Sequence, residues 1–117
     1  MEKEVVLGID IGGTHTKLGL VTKTGSILKH TKFDTEAKKP FEVFLKKLEA
    51  EVNSLTMALN SDQAIVAIGV GAPNANSRTG NMEHPANLRW GDRVPLAQAI
   101  RDLFELPVSI ANDANAA

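Results

Sequence analysis

The stretch Val5 to Val21, VVLGIDIGGTHTKLGLV, restricts the fold of this chain more than any other. An apolar run, Val5 to Ile9, ends at Asp10. The turn Ile11-Gly12-Gly13-Thr14 comes next, and Thr16 to Val21 then returns as β-type sequence with Leu18 and Leu20 on one face. Three phosphate-holding turns compete for such a stretch. A Walker A loop needs Gly-x-x-x-x-Gly-Lys-Ser/Thr opening a helix, a spacing this chain lacks. A dinucleotide fingerprint needs Gly-x-Gly-x-x-Gly between strand and helix, but Gly8, Gly12 and Gly13 are spaced otherwise and lead into β-type sequence. The third is a hairpin turn carrying Asp-x-Gly-Gly-Thr. Its backbone N–H groups and the Thr14 hydroxyl face phosphates, while Asp10 faces a metal ion. Only this third arrangement suits the β-type sequence after Thr14. Taken alone, the turn reads equally well as a plain hairpin connection that Asp10 braces.

Beyond the hairpin, Lys23-Thr24-Gly25 leads into a third strand, Ile27 to Phe33, which predicts an antiparallel meander. The period then changes. Phe41, Phe44, Leu45, Leu48, Val52, Leu55 and Leu59 fall at helical spacing and predict a helix over about 40–59, with Pro40 at its first position. Ala64 to Val70 is an unbroken apolar run, expected to be a fully buried strand reached by a crossover and so parallel to a meander strand. Pro73 to Arg93 shows no period and predicts a long, ordered, functional loop with Trp90 as its packing anchor. Pro95 to Phe104 reads as a short helix with Leu96, Ala99, Ile100 and Leu103 inward, and Val108 to Ala111 as a second buried strand ending at Asn112-Asp113. Ala114 to Ala117 opens what should be another helix. Residues 1–117 are therefore expected to be the N-terminal subdomain of a longer protein.

Composition excludes several classes. The net charge is −1 with Lys and Arg scattered, which argues against a nucleic-acid groove or a polybasic membrane surface. There is no cysteine, so thiol catalysis and Cys-ligated zinc are absent from these residues. His15, His30 and His84 lack the spacing of a metal-ligand pair and are expected on the surface or in loops. The apolar run before Asp10 is too short for a signal-peptide core or a membrane span, so a cytoplasmic location is expected.

The ends of the apolar strands carry the chemistry. One ends at Asp10, the next at Gly71-Ala72-Pro73-Asn74, the last at Asn112-Asp113. If the three are parallel neighbours, two carboxylates, a glycine turn and several amides share the carboxyl edge where α/β sheets bind ligands. Asp113 also suits the N-cap of the following helix, and the two uses are compatible.

With these motifs in view, the chain resembles the ROK family of bacterial sugar kinases and repressors. GIDIGGTHTKLGLV is similar to the family's phosphate motif and GVGAP to its central strand and loop. ANLRW is similar to its sugar-loop segment, and PVSIANDANAA to its catalytic strand. The resemblance implies the ribonuclease-H-like, actin-like ATPase fold: an α/β mixed five-stranded sheet of order 3-2-1-4-5 with helices on both faces. It implies ATP and Mg²⁺ as cofactors, Asp10, Gly12, Gly13 and Thr14 at the nucleotide phosphates, and Asp10 towards the metal. Lys17 matches a position often basic in the motif, its plainer reading being a solvated strand lysine. Asn74, Asn87 and Asn112 would contact the sugar. Asp113 would bind the sugar and act as general base on its 6-hydroxyl.

Two departures bear on which sugar is bound. Asn74 stands where the family often has Gly, and His84-Pro85-Ala86 replaces a more usual Ala-Pro. The family's structural zinc motif and adenine site belong to sequence beyond Ala117. The expected activity is phosphorylation of a hexose, glucose first, at O6 by a full-length homodimer, with no activity in the isolated 117 residues. The alternative is the ligand-binding domain of a sugar-sensing repressor. Such repressors carry a helix-turn-helix domain before the phosphate turn and some lose turn residues. Here only Met1 to Glu4 precede the first strand, and the turn residues are all present.

Overall fold

The computed structural model describes residues 3–83, 90–91 and 93–112. The elements in chain order are β1 (Glu4–Ile11), β2 (His15–Thr22), β3 (Ile27–Asp34), α1 (Phe41–Thr56), β4 (Ala64–Ala72), β5 (Ala75–Asn76), β6 (Asn81–Glu83), β7 (Arg93–Val94), α2 (Leu96–Phe104) and β8 (Val108–Asn112). The five long strands form one sheet of order β3-β2-β1-β4-β8, as expected. β2 is antiparallel to both β1 and β3, while β4 is parallel to β1 and to β8. No helix of the described residues is long and apolar enough to cross a membrane.

Alternation along the strands decides which face is the core. Val5, Leu7, Ile9 and Ile11 of β1 are buried, level with Leu18 and Leu20 of β2 and with Ile68 and Val70 of β4. Onto this face α1 presents Phe44, Leu48, Val52 and Leu55, a stripe at helical spacing. Each of these contributes roughly 1.5–3 kcal/mol of burial. Pro40 takes the N-cap position rather than the first helical one. The helix also stops at Thr56, short of the expected end, because Met57, Ala58 and Leu59 donate to the carbonyls three residues back and tighten the chain into turns.

The crossovers β3–α1–β4 and β4–α2–β8 step in the same direction along the sheet, and right-handed crossovers then share a face. Val52 of α1 and Phe104 of α2 accordingly line one cleft together with Leu7 and Ile68. Helices were expected on both faces. The two described helices share one, and the segment after Asn112, where the next helix is expected, lies outside the described residues.

The second face carries Val6, Gly8, Gly19, Gly69, Gly71 and Ala111, none of them fully buried among the described residues. Among the described residues this departs from the expectation of a fully buried strand over Ala64 to Val70 and a second buried strand over Val108 to Ala111. β4 alternates, with Val66 at a bulge and 36% exposed, and of β8 only Ile110 is buried. An unbroken apolar run reports residue type, not two covered faces.

The stretch expected as one long loop is also corrected. β5, β6 and β7 pair antiparallel into a small second sheet. These strands are too short for periodicity to register. Met82 and Val94, register partners there, are buried and join the main core. In α2, Ala97 rather than Ala99 is buried, because it packs on the turn at Gly80. Its N–H bonds the Gly80 carbonyl at 2.9 Å, and a Cβ on Gly80 would meet the Ala97 methyl at 2.9 Å.

Candidate active site

The turn between β1 and β2 begins where Ile11 and Thr16 pair. The Gly12 N–H donates to the His15 carbonyl at 2.9 Å, closing the turn. A Cβ on Gly12 would sit 2.8 Å from that same carbonyl oxygen, so no larger residue fits. Close approach, rather than a left-handed backbone, is what selects glycine here. Gly13 and Thr14 are exposed at the tip.

A buried hydroxyl pair sits beneath the turn. Thr35 and Thr16 are 1% and 0% exposed, and their Oγ1 atoms are 2.8 Å apart. The Thr35 hydroxyl donates to the Gly12 carbonyl at 2.8 Å, and the Thr35 N–H donates to the Thr14 carbonyl at 2.9 Å.

The chain beyond Thr35 is held to α1. Lys47 donates to the Asp34 carbonyl at 2.5 Å and pairs with Glu36 at 3.1 Å, while Lys39 pairs with Glu36 at 3.0 Å. Lys39 first, and Lys47 beside it, hold the Glu36 carboxyl below the usual glutamate pKa. Glu36 has φ 54°, a left-handed conformation that these contacts hold in place.

The parallel register brings the strand ends to one edge. Asp10 stands opposite Gly71, and Gly71 opposite Ala111, while Ala72 stands opposite Asn112. Asp10 and Asn112 thus occupy the same sheet edge two strands apart, about 10 Å by ordinary strand spacing. Alternation puts them on opposite faces, Asp10 on the small-residue face and Asn112 on the helix-covered one. Lys17 is the register partner of Asp10 on β2, and both are exposed. Asn74 comes just after β4, with φ 56° and its carbonyl accepting from Glu83 N–H at 2.9 Å; it is exposed. A left-handed backbone favours Gly and tolerates Asn, which accounts physically for Asn in place of the family's Gly. Asn87 and Asp113 lie outside the described residues, as does His84. Of the other histidines, His30 is exposed and His15 sits 3.4 Å from Asp34 on the surface.

The Asp10 carboxylate suits a hard cation. Asp10 offers an exposed carboxylate beside an exposed turn, and the described residues contain no cluster of three or more metal-ligating side chains. Mg²⁺ is characteristically bound this way, through one or two carboxylates plus substrate phosphates. Thr16 and Thr35 go unmarked in the sequence because a lone threonine beside a strand carries no motif. Their burial next to a glycine turn is visible only in three dimensions.

Trp90 packs as expected. Its ring is 5.1 Å from Phe41 and 4.7 Å from Phe44 between centroids, and Phe33 lies 5.9 Å from Phe44. Its indole N–H is buried without a hydrogen-bond partner among the described residues.

Similarity to known proteins runs through the whole chain. A glucokinase of Streptomyces coelicolor is 32% identical over 117 residues, covering 97% of this chain and 34% of the relative. A putative xylose repressor of a Caldicellulosiruptor species is 30% identical over 114 residues, covering 96% of this chain and 28% of the relative. A ROK family glucokinase from Streptomyces griseus, solved with glucose and AMPPNP, superposes with TM-score 0.80 at 28% identity, over 96% of this chain and 34% of that one. The chain thus spans about a third of the length of the curated relatives it matches. The family model for the ROK family matches residues 6–117, and with the sheet order and the glycine turn in agreement, the chain belongs to the ROK family.

Proposed function

We propose that this chain is the N-terminal part of an ATP-dependent sugar kinase that phosphorylates a hexose, glucose first, at O6. The observation that carries the reading is that β1 and β8 bring Asp10, with the Gly12-Gly13-Thr14 turn after it, and Asn112 to the same carboxyl edge of the sheet, about 10 Å apart and on its two faces. A kinase needs the phosphate donor and the sugar hydroxyl brought side by side, and little else from the protein beyond positioning and charge stabilisation.

In this reading Gly12, Gly13 and Thr14 hold the nucleotide phosphates and Asp10 holds Mg²⁺. The bound metal would neutralise charge developing on the phosphates. Lys17, beside Asp10 in register, adds positive charge on the same face. Asn74, Asn87 and Asn112 hold the sugar hydroxyls. Asp113 accepts the 6-hydroxyl proton as the bond from O6 to the γ-phosphorus forms and the bond to the bridging oxygen breaks, releasing ADP.

The repressor-named relative supports a second reading, a sugar-binding regulator without turnover. The intact turn favours the kinase, since a regulator that only senses sugar does not need a phosphate cradle. Incubating the full-length protein with ATP, Mg²⁺ and a hexose panel tests the choice. Sugar-dependent ADP release is expected, and sugar binding without ADP release would replace the kinase with the regulator.

A further inference from the structure

We infer that Thr35 is the positioning residue of the phosphate turn, aiming the Gly13 N–H outward through its grip on the Gly12 carbonyl. The inference rests on the proposed nucleotide role of that turn. Gly12 C=O and Gly13 N–H belong to one planar trans peptide unit, in which the two groups point in opposite directions. Whatever holds the carbonyl inward therefore points the N–H outward. Thr35 Oγ1 holds it at 2.8 Å.

The same residue grips the turn a second time. Its backbone N–H holds the Thr14 carbonyl at 2.9 Å, which fixes the peptide unit shared by Thr14 and His15. Two peptide planes of a glycine-rich turn are thus set from below by one residue contributed by another strand end. Glycine-rich backbone has wide freedom of its own, so a cradle built from it needs such external restraint to be preorganised.

The hydrogens can be counted. The Gly12 carbonyl cannot donate, so the single hydroxyl hydrogen of Thr35 is committed to it. Thr16 must therefore be the donor in its 2.8 Å contact with Thr35. The resulting chain runs from Thr16 to Thr35 to Gly12. Both threonines are buried, while Gly12, whose carbonyl they brace, is half-buried. Thr35 is itself fixed from the far side, where Lys47 binds the Asp34 carbonyl and the Glu36 carboxylate.

The test uses the full-length protein carrying Thr35→Val, which keeps the shape and removes the hydroxyl, and Thr35→Ser, which keeps the hydroxyl. Binding of ATP with Mg²⁺ is measured by calorimetry without sugar, alongside KM for ATP, KM for sugar and kcat. Thr35→Val is expected to weaken ATP binding about tenfold or more, the order set by losing one hydrogen bond that orients the cradle. Sugar KM should stay within about twofold and Thr35→Ser within about threefold of the parent for ATP. A merely structural threonine would lower the melting temperature and leave the ratio of ATP to sugar affinity unchanged. Unaltered ATP affinity in Thr35→Val overturns the inference, as does a folded Thr35→Ser that loses as much ATP affinity as the valine variant. Should Thr35→Val not fold, Thr35→Ala takes its place: lost ATP affinity in the alanine variant with retention in the serine one upholds the hydroxyl's role, and equal affinities overturn it. A parent protein that binds ATP yet phosphorylates no sugar would sink the kinase reading while leaving Thr35 to be judged by the same affinities. A parent that binds no ATP overturns both.

Discussion

The rings of Phe44 and Trp90 stand 4.7 Å apart between centroids, joining the buried face of α1 to the segment between β6 and β7. Trp90 lies three residues after Asn87, the amide proposed to hold the sugar. The contact therefore ties the fold's core to the proposed sugar loop.

Trp90→Ala should cost about 3 kcal/mol of stability, the low end for aromatic truncation because the ring is only partly buried. It should also raise the sugar KM while leaving the ATP KM alone. Trp90→Phe should stay within about 1 kcal/mol of the parent, because the lost area is offset by removing a buried N–H that has no partner among the described residues. Thermal denaturation of both variants checks this, and a phenylalanine variant as unstable as the alanine one would contradict it.

At the other end of the site, Gly12→Ala would place a methyl group 2.8 Å from the His15 carbonyl oxygen. Backbone cannot yield as a flexible side chain does, so the turn must open. ATP affinity is expected to fall about tenfold or more, since small displacements of positioning groups are costly. Sugar affinity should hold. Calorimetry with each ligand separately gives the answer, and equal ATP affinity in the variant would show that the turn does not hold the nucleotide.

Glu36 sets a pH dependence whose sign is fixed by its partners. Lys39 and Lys47 depress its folded pKa. Between the folded and unfolded values the unfolded chain binds more protons, so stability rises with pH there. The contribution is complete above the ordinary glutamate value of about 4.3 and is lost as pH falls through the depressed one. Glu36→Gln should remove this acid-limb dependence and leave the neutral-pH profile flat. An unchanged difference between parent and variant across the acid limb would contradict the assignment.

Both helices and the glycine turn could be read from sequence because each rests on a local pattern, whereas the sheet order followed from the family resemblance. The odd residues Val5, Leu7, Ile9 and Ile11 alternate in β1, and Phe44, Leu48, Val52 and Leu55 recur helically in α1. Features without a local pattern escaped. Two-residue strands such as Ala75–Asn76 and Arg93–Val94 span a single period, too little for alternation to show. Ala97 turned inward because Gly80, remote in sequence, left room for it. Thr35 faces Gly12 across 23 residues of chain, a contact no window of sequence displays. The apolar run of β4 showed that its residues can be buried, whereas coverage of each face depends on what packs there.

The central claim, sugar phosphorylation with Asp113 as general base, is tested most directly by sugar-dependent ATP turnover in the full-length protein and its Asp113→Asn variant. Asparagine keeps the shape and can still hold a hydroxyl, but it cannot accept the proton. The account predicts steady ADP release by the parent in the presence of a hexose and a kcat lower by about 10²–10⁴ in the variant, with sugar affinity little changed. Asn caps a helix about as well as Asp, so a purely structural Asp113 predicts near-normal turnover. Retention of more than about a tenth of the parent kcat, or no sugar-dependent ADP release by the parent, would contradict the account.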